Sequence, residues 1–300
     1  MNKIIHYFYD DINIWEKNAS PQFRMCFASW KKFCPDYEIK LWHVDMPEFQ
    51  DMLKSSKFLR ECYKRKMWAF ISDYVRYYAL YNYGGIYLDT DVQCLKSFDD
   101  FINLPFFVSI EGDIIDGNNI PEPAILGGEK GHWIFKEILD LYNSNEIFKI
   151  NFPIANNIMA KILSEKFDFT RIPYQENLQE EMCENYNSQI HCKPISSYKL
   201  YLNQKIYINN DVYIFPSEYF CPSWSTFGEK AFTSHTVAIH WAQCSWWSGK
   251  SKLRDIEAFR YKNVIKRFWY CYSEKFAKII TCLIPNKKAR IYIRNKITSK

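Results

Sequence analysis

The stretch that most limits what this chain can fold into is MWAFISDYVRYYALYNYGGIYLDTDV, residues 67–92. Phe70, Tyr74, Tyr77, Tyr78 and Tyr81 recur at helical spacing, and Gly84-Gly85 supply the C-terminal stop. A short apolar strand, IYLDTDV, follows at once. The chain before it has the same alternation. KIIHYFY (3–9) reads as a strand, Ser20-Pro21 open a helix over about 21–33 with proline in the first turn, and EIKLWHV (38–44) reads as a second strand. Strand, helix, strand is the unit of a parallel sheet, so an α/β architecture is expected, with a mostly parallel central sheet flanked by helices.

Beyond this opening, residues 47–65 read as helical and charged and PFFVSIE (105–111) as a strand. GDIIDGNNIPEP reads as a loop, AILGGEKGH as strand then turn, and HWIFKEILDLYN (132–143) as an amphipathic helix. Residues 144–210 are mixed and polar, and their order is left unassigned. VYIFP (212–216) and TVAIHW (236–241) read as strands, with QCSWWSGK as a loop after the second. Helical spacing returns over about 254–284, where Ile265, Phe268, Trp269, Tyr272, Phe276, Ile279 and Leu283 share a face and Pro285 ends the pattern. The expected organisation is a body over 1–250 and a basic amphipathic helical tail over 251–300.

Charge divides at the same point. Residues 250–300 carry 15 Lys and Arg against 3 Asp and Glu, while the remainder has 24 basic and 31 acidic side chains. A basic tail on an acidic body has two readings: its apolar face packs on the body, or it lies on an anionic membrane leaflet. The body is acidic and holds no nucleic-acid recognition motif, so no nucleic-acid partner is expected. No run of 18 apolar residues occurs, so no membrane span is predicted, and MNKIIHYFYD lacks a secretory apolar core. The ten cysteines are scattered with no C-x-x-C, which reads as reduced core cysteine in a cytoplasmic protein. The high aromatic share, 18%, serves either a bulky core or stacking platforms for a sugar or base.

Asp89 and Asp91 are the chemical feature of the opening stretch. With 16 aspartates in 300 residues, a D-x-D pair arises about once by chance, so its surroundings must decide. Strand alternation puts both carboxylates on one side, at the carboxyl end of a strand, where open α/β sheets bind ligands. Two carboxylates there repel unless a cation or proton offsets them. They are either turn and cap residues or ligands for a hard divalent ion, Mg²⁺ or Mn²⁺, which would offset charge on a departing diphosphate. Asp73 and Arg76 lie three apart on one helix face, as an intrahelical ion pair or as a ligand contact.

The whole segment SDYVRYYALYNYGGIYLDTDV resembles the signature of glycosyltransferase family 32, the D-x-D group that includes capsule and O-antigen transferases and yeast mannosyltransferases. The resemblance extends to KIIHYFY, SWKKFCPDYEIKLW (29–42), AILGGEKGHWIFKEIL and TVAIHWAQCSW (236–246), and covers roughly 1–248. It implies a GT-A (Rossmann-like) fold, a nucleotide-sugar donor, a divalent metal and retention of anomeric configuration. Carried over by position, it makes Asp91 a direct metal ligand and Asp89 a group near ribose and donor sugar, on the metal through water. Asp73 and Arg76 become donor contacts, the Arg fork suiting phosphate or a sugar-binding carboxylate. His240 completes the metal site, although a lone histidine among aromatics is otherwise a core residue. Ser245 and Trp246, with Trp247 as an equivalent neighbour, supply hydroxyl or indole donors to the diphosphate.

The sequence also departs from that pattern. Tyr9 stands where relatives carry a base-stacking Trp, and NFPIANN replaces a Gly-Pro stretch. No covalent nucleophile stands out, which favours a same-face mechanism, with Glu111 as a weaker candidate for a helper or acceptor contact. The expected activity is transfer of a hexose or N-acetylhexosamine from a UDP-sugar to a lipid-linked oligosaccharide in O-antigen or capsule synthesis, at the inner face of the cell membrane. The alternatives are a toxin-like transferase acting on protein, or a membrane-surface binding protein with a vestigial site.

Overall fold

The computed structural model describes residues 1–13, 19–111, 120–150, 152–167, 207–222, 232–242, 264–282 and 284–298. Strand β1 (Ile4–Phe8) leads to helix α1 (Pro21–Phe33) and strand β2 (Glu38–Trp42). Helices α2 (Pro47–Ser55), α3 (Lys57–Lys64) and α4 (Trp68–Tyr83) follow, then β3 (Gly85–Leu88), β4 (Val92–Cys94), β5 (Phe106–Glu111) and β6 (Ile120–Gly128). Next come α5 (Trp133–Asn143), α6 (Ala155–Lys166), β7 (Tyr207–Asn209), β8 (Val212–Phe215), the short α7 (Ser217–Phe220) and β9 (Ala238–His240). Helices α8 (Val264–Thr281) and α9 (Lys287–Thr298) end the described chain.

A seven-stranded sheet of order β2-β1-β3-β6-β5-β8-β7 forms the centre. Pairings β1–β2, β1–β3 and β5–β8 are parallel and those of β6 and β7 antiparallel, so five of the seven strands run one way. This is the mostly parallel α/β sheet of the expected GT-A fold. Two apolar layers cover it. One packs α2 to α6 through residues such as Phe58, Phe70, Tyr74 and Tyr142, and the other packs α1 and α7 through Phe23, Trp30 and Phe220. The described cysteines are free, and Cys26, Cys34, Cys62 and Cys94 are buried as expected, whereas Cys282 is exposed.

Gly84 ends α4 at φ 67 and ψ −172, a backbone state open essentially to glycine alone. A side chain there would also meet the backbone nitrogen of Lys130 at 2.7 Å. The carbonyl of Gly84 accepts from His6 Nε2 at 2.9 Å, while His6 Nδ1 accepts from the indole of Trp42 at 3.1 Å. Both ring nitrogens are therefore used in the neutral form, and burial pulls the His6 pKa down to about 4. An exposed histidine ionises near 6.5, so between these values the unfolded chain binds a proton that the folded chain refuses. The stability contributed by neutral His6 is complete above about pH 6.5 and declines as pH falls toward 4. We expect it to drop by about 2 kcal/mol between pH 7.5 and pH 5. Urea unfolding of wild type and His6→Gln at both pH values isolates this, since glutamine keeps a donor and an acceptor but does not titrate; parallel pH trends in the two proteins would contradict it.

Four expectations need correction. The helical stretch expected over 47–65 breaks at Ser56, whose N–H closes α2 on Met52 O and whose hydroxyl caps α3 at Leu59 N–H while donating to Tyr142 O. IYLDTDV is not one strand: β3 stops at Leu88, the chain turns through Asp89–Asp91, and β4 leaves for a separate two-stranded sheet with β9. The expected loop GDIIDGNNIPEP enters β6 at Ile120: Pro121 pairs in register with Ile110, and a bulge opposite Val108/Ser109 accommodates Pro123. The tail has a second helix, α9, beyond Pro285, and residues 251–263 lie outside the described set.

Candidate functional site

A cavity of about 540 Å³ opens at the carboxyl ends of β1 and β3. The sheet order sets its two flanks. On the β1 side stand Tyr9 and Phe23, stacked at 6.1 Å with an interplanar angle of 2°. On the β5–β6 side stand Glu111, Ile120, Glu122 and Asn156. Asp73, Arg76, Asp89, Asp91 and His240 line the space between them.

Helix α4 delivers Asp73 and Arg76 one turn apart. The Arg76 guanidinium is 4% exposed and bridges three acceptors. Nη2 reaches Asp73 Oδ1 at 2.9 Å and Asp89 Oδ1 at 3.1 Å, and Nη1 donates to Pro123 O at 2.6 Å. That carbonyl belongs to the three residues of β6 that bulge away from β5, whose neighbour Ala124 accepts from Asp89 N–H at 2.9 Å. The second oxygen of Asp73 accepts from the N–H of Ala155 at the start of α6, at 3.0 Å. Burial pushes the Asp73 carboxyl up to about 7 and the Asp89 carboxyl to about 6, against the pull of Arg76, with mutual repulsion among the carboxylates adding to the rise. Arg76 is the cation that opposes this rise, and it is more than the surface i,i+3 pair its spacing alone would give.

Asp91 and His240 meet through the small sheet. β4 and β9 pair with Val92 opposite His240, and Trp241 N–H donates to Asp91 O at 3.1 Å. Helix α1 pins β4 in turn: the Trp30 indole donates to Val92 O at 2.7 Å, and Cys94 N–H donates to Ser29 Oγ at 2.8 Å. His240 Nε2 lies 3.4 Å from Asp91 Oδ1, and Nδ1 lies 3.8 Å from Glu122 Oε1. Burial works against a charged imidazole, but the bonds to Asp91 and Cys221 and the field of Glu122 hold His240 well above the usual histidine range.

One ligand atom from each of Asp89, Asp91 and His240 falls within a 4.8 Å span, which makes them a candidate metal group. The donor set fits a divalent cation: two carboxylates held close together carry a charge that Arg76 only partly offsets, and the His240 imidazole, which would give up its proton to a bound cation, faces the same point. The turn, rather than strand alternation, is what brings the two aspartates together.

The structure thus gathers Tyr9, Asp73, Arg76, Asp89, Asp91 and His240 around one cavity. Ser245, Trp246 and Trp247 lie outside the described residues. Glu122 and Asn156 are among the lining residues that the sequence did not single out. Glu122 accepts from Ala124 N–H at 3.0 Å and from Asn156 Nδ2 at 2.9 Å, and the same amide reaches Glu111 at 3.3 Å. The signal was the PEP tripeptide at 121–123: prolines inside an otherwise apolar run mark a bulge, where side chains are re-aimed.

The D-x-D pair lies within a region shared with known proteins. Residues 20–107 match the family described as glycosyltransferase sugar-binding region containing DXD motif. An inositol phosphoceramide mannosyltransferase of Schizosaccharomyces pombe is 32% identical over 43% of this chain and 34% of its own. An uncharacterised glycosyltransferase of Acanthamoeba polyphaga mimivirus is 36% identical over 24% of this chain and 30% of its own. The chain therefore spans about a third of the length of these curated relatives. Among solved structures, the PaToxG glycosyltransferase superposes with a TM-score of 0.45 at 18% identity, covering 56% of this chain and 70% of its own. A glycosyltransferase involved in glycosylation of the major capsid of PBCV-1 gives a TM-score of 0.41 at 12% identity, covering 85% and 98%.

Proposed function

We propose that this chain, which carries a D-x-D glycosyltransferase sugar-binding region of the family-32 type, is a retaining, divalent-metal-dependent glycosyltransferase using a UDP-sugar. The observation that carries the reading is the convergence of Asp89, Asp91 and His240 in a cavity that also holds Arg76 and an aromatic pair. Asp91 and His240 would hold the cation directly and Asp89 through water. A mixed carboxylate and imidazole set favours Mn²⁺ over Mg²⁺, which prefers oxygen and water. When bound, the cation supplies charge neutralisation for the diphosphate.

The chain's own residues position the rest. Tyr9, backed by Phe23, offers a ring face to the base. Arg76 and Asp73 fix the Asp89 carboxylate, which then accepts hydrogen bonds from ribose or sugar hydroxyls. Glu111, Glu122 and Asn156, on the opposite flank, are placed to bind acceptor hydroxyls. The glycosyl–phosphate bond breaks and the acceptor oxygen bonds the same face of the sugar, with its proton passing to a phosphate oxygen of the departing nucleoside diphosphate.

The transferred group is a hexose or N-acetylhexosamine, and the acceptor is a lipid-linked oligosaccharide of the O-antigen or capsule type. Support for a lipid-borne acceptor comes from the similarity to the inositol phosphoceramide mannosyltransferase of Schizosaccharomyces pombe. A panel of UDP- and GDP-sugars, assayed for slow hydrolysis with Mn²⁺, tests the donor without needing the acceptor. We expect turnover of one or two UDP-sugars, lost in excess chelator. Turnover of GDP-sugars alone would overturn the uridine assignment, and no turnover of any donor would overturn the enzyme reading.

A further inference from the structure

Helices α8 and α9 form a hairpin that the site does not use. Ser273, Ala277 and Thr281 recur every fourth residue of α8, are buried, and form the seam. Arg294 Nε of α9 donates to Thr281 Oγ1 at 2.7 Å, which closes the hairpin beyond Pro285. The opposite side of α8 is apolar and exposed. Ile265 is 77% accessible, Phe268 62% and Ile279 69%, with Trp269, Tyr272 and Phe276 between them. At the helical angle of about 100° per residue, these six lie on one half of α8, away from the seam. Tyr292 of α9 is exposed as well.

Charge identifies the occupant of this face. Residues 264–298 carry nine Lys and Arg against a single acid, Glu274. Two such hairpins would repel each other, which disfavours a second copy as the partner. Nucleic acid would meet the charge but leave the row of large apolar side chains in water. Packing on the acidic body would cover those side chains, and they are exposed instead. No described helix is long and apolar enough to cross a membrane. A helix that combines a broad apolar face with abundant Lys and Arg, without the length of apolar sequence to span, belongs in the plane of a lipid interface.

We infer that the α8–α9 hairpin docks flat on an anionic lipid bilayer. Ile265, Phe268, Tyr272 and Phe276 enter the boundary of the acyl chains, while Lys275 and Lys278 on α8 and Lys287 and Lys288 at the start of α9 sit among the headgroups. This goes beyond the sugar site and stands independently of it.

Co-sedimentation of the full chain with vesicles tests the inference. Binding is expected to vesicles of phosphatidylcholine mixed with phosphatidylglycerol, and not to phosphatidylcholine alone. Salt should weaken it. Each neutralised lysine near the surface weakens partitioning about fivefold, so Lys275→Ala with Lys278→Ala should lose roughly thirtyfold. Phe268→Ser with Phe276→Ser should abolish binding at any salt, and since both side chains are exposed, circular dichroism should be unchanged. Failure of wild type to bind anionic vesicles would overturn the inference. So would undiminished binding by either double variant, or equal binding to neutral vesicles. A solution dimer that the Phe268/Phe276 variant dissolves, with no vesicle binding, would assign the face to a second copy instead.

Discussion

Replacing Arg76 by alanine is expected to destabilise the folded chain by about 3–5 kcal/mol, the range for removing one partner of a buried ion pair. The Arg76 side chain is almost inaccessible and lies between Asp73, which is buried, and Asp89, which is partly buried. Without the guanidinium, two carboxylates and the Pro123 carbonyl lose their donor. If Asp73–Arg76 were only an intrahelical surface pair, the loss would be about 0.3–0.5 kcal/mol, so the two accounts differ by nearly tenfold. Urea unfolding decides between them. A second signature follows from the carboxyls, already raised to about 7 and 6 with Arg76 present. Without it they rise further, the folded variant binds more protons than the unfolded chain, and its deficit should shrink as pH falls through neutrality toward 5. Asp73→Asn in the Arg76→Met background should recover part of the stability by removing one buried charge. A deficit below about 1 kcal/mol with no pH trend would mean that the triad does not hold the floor of the cavity.

The second large effect concerns chemistry. Asp91→Ala should lower glycosyl transfer by at least about a thousandfold, which corresponds to the several kcal/mol a divalent cation supplies to a departing diphosphate. Stability should change little by comparison, because Asp91 sits in a turn whose backbone carbonyl, held by Trp241 N–H, survives the substitution. The contrast with Arg76 is the informative part. Arg76 acts on the fold and through Asp89, whereas Asp91 acts on the ligand. Residual activity within tenfold of wild type would remove Asp91 from the metal group.

How far the site was legible varies with the physics behind each part. The helix α4, its glycine stop and β3 were readable because side-chain period and a φ that only glycine tolerates are local properties. The separation of Asp89 from Asp91 by a turn was not readable, since an apolar-then-acidic run looks the same whether the strand continues or breaks. What breaks it is β4 pairing with β9, 146 residues of sequence separating Val92 from Ala238, and a pairing at that distance leaves no local periodicity. His240 was reached through family resemblance, and the register opposite Val92 supplies the reason it sits beside Asp91. Glu122 was not legible because two prolines so close together read as a loop signal, whereas Pro121 pairs with Ile110 in β6 and Pro123 lies in a bulge that frees its carbonyl for Arg76, with the Glu122 carboxylate lining the cavity. In the tail, the amphipathic face of α8 was visible in the sequence. Helix α9 was not, because Pro285 stops one helix and gives no sign that another begins two residues later.

The measurement that bears most directly on the central claim is calorimetric titration of UDP into wild type, Asp91→Asn and His240→Ala, each with Mn²⁺ and with excess chelator. If Asp89, Asp91 and His240 hold a cation against a nucleoside diphosphate, wild type binds UDP at least about tenfold more tightly with Mn²⁺, and both variants lose that difference while keeping their folded circular dichroism. UDP affinity in wild type that is the same with metal and with chelator would contradict the account.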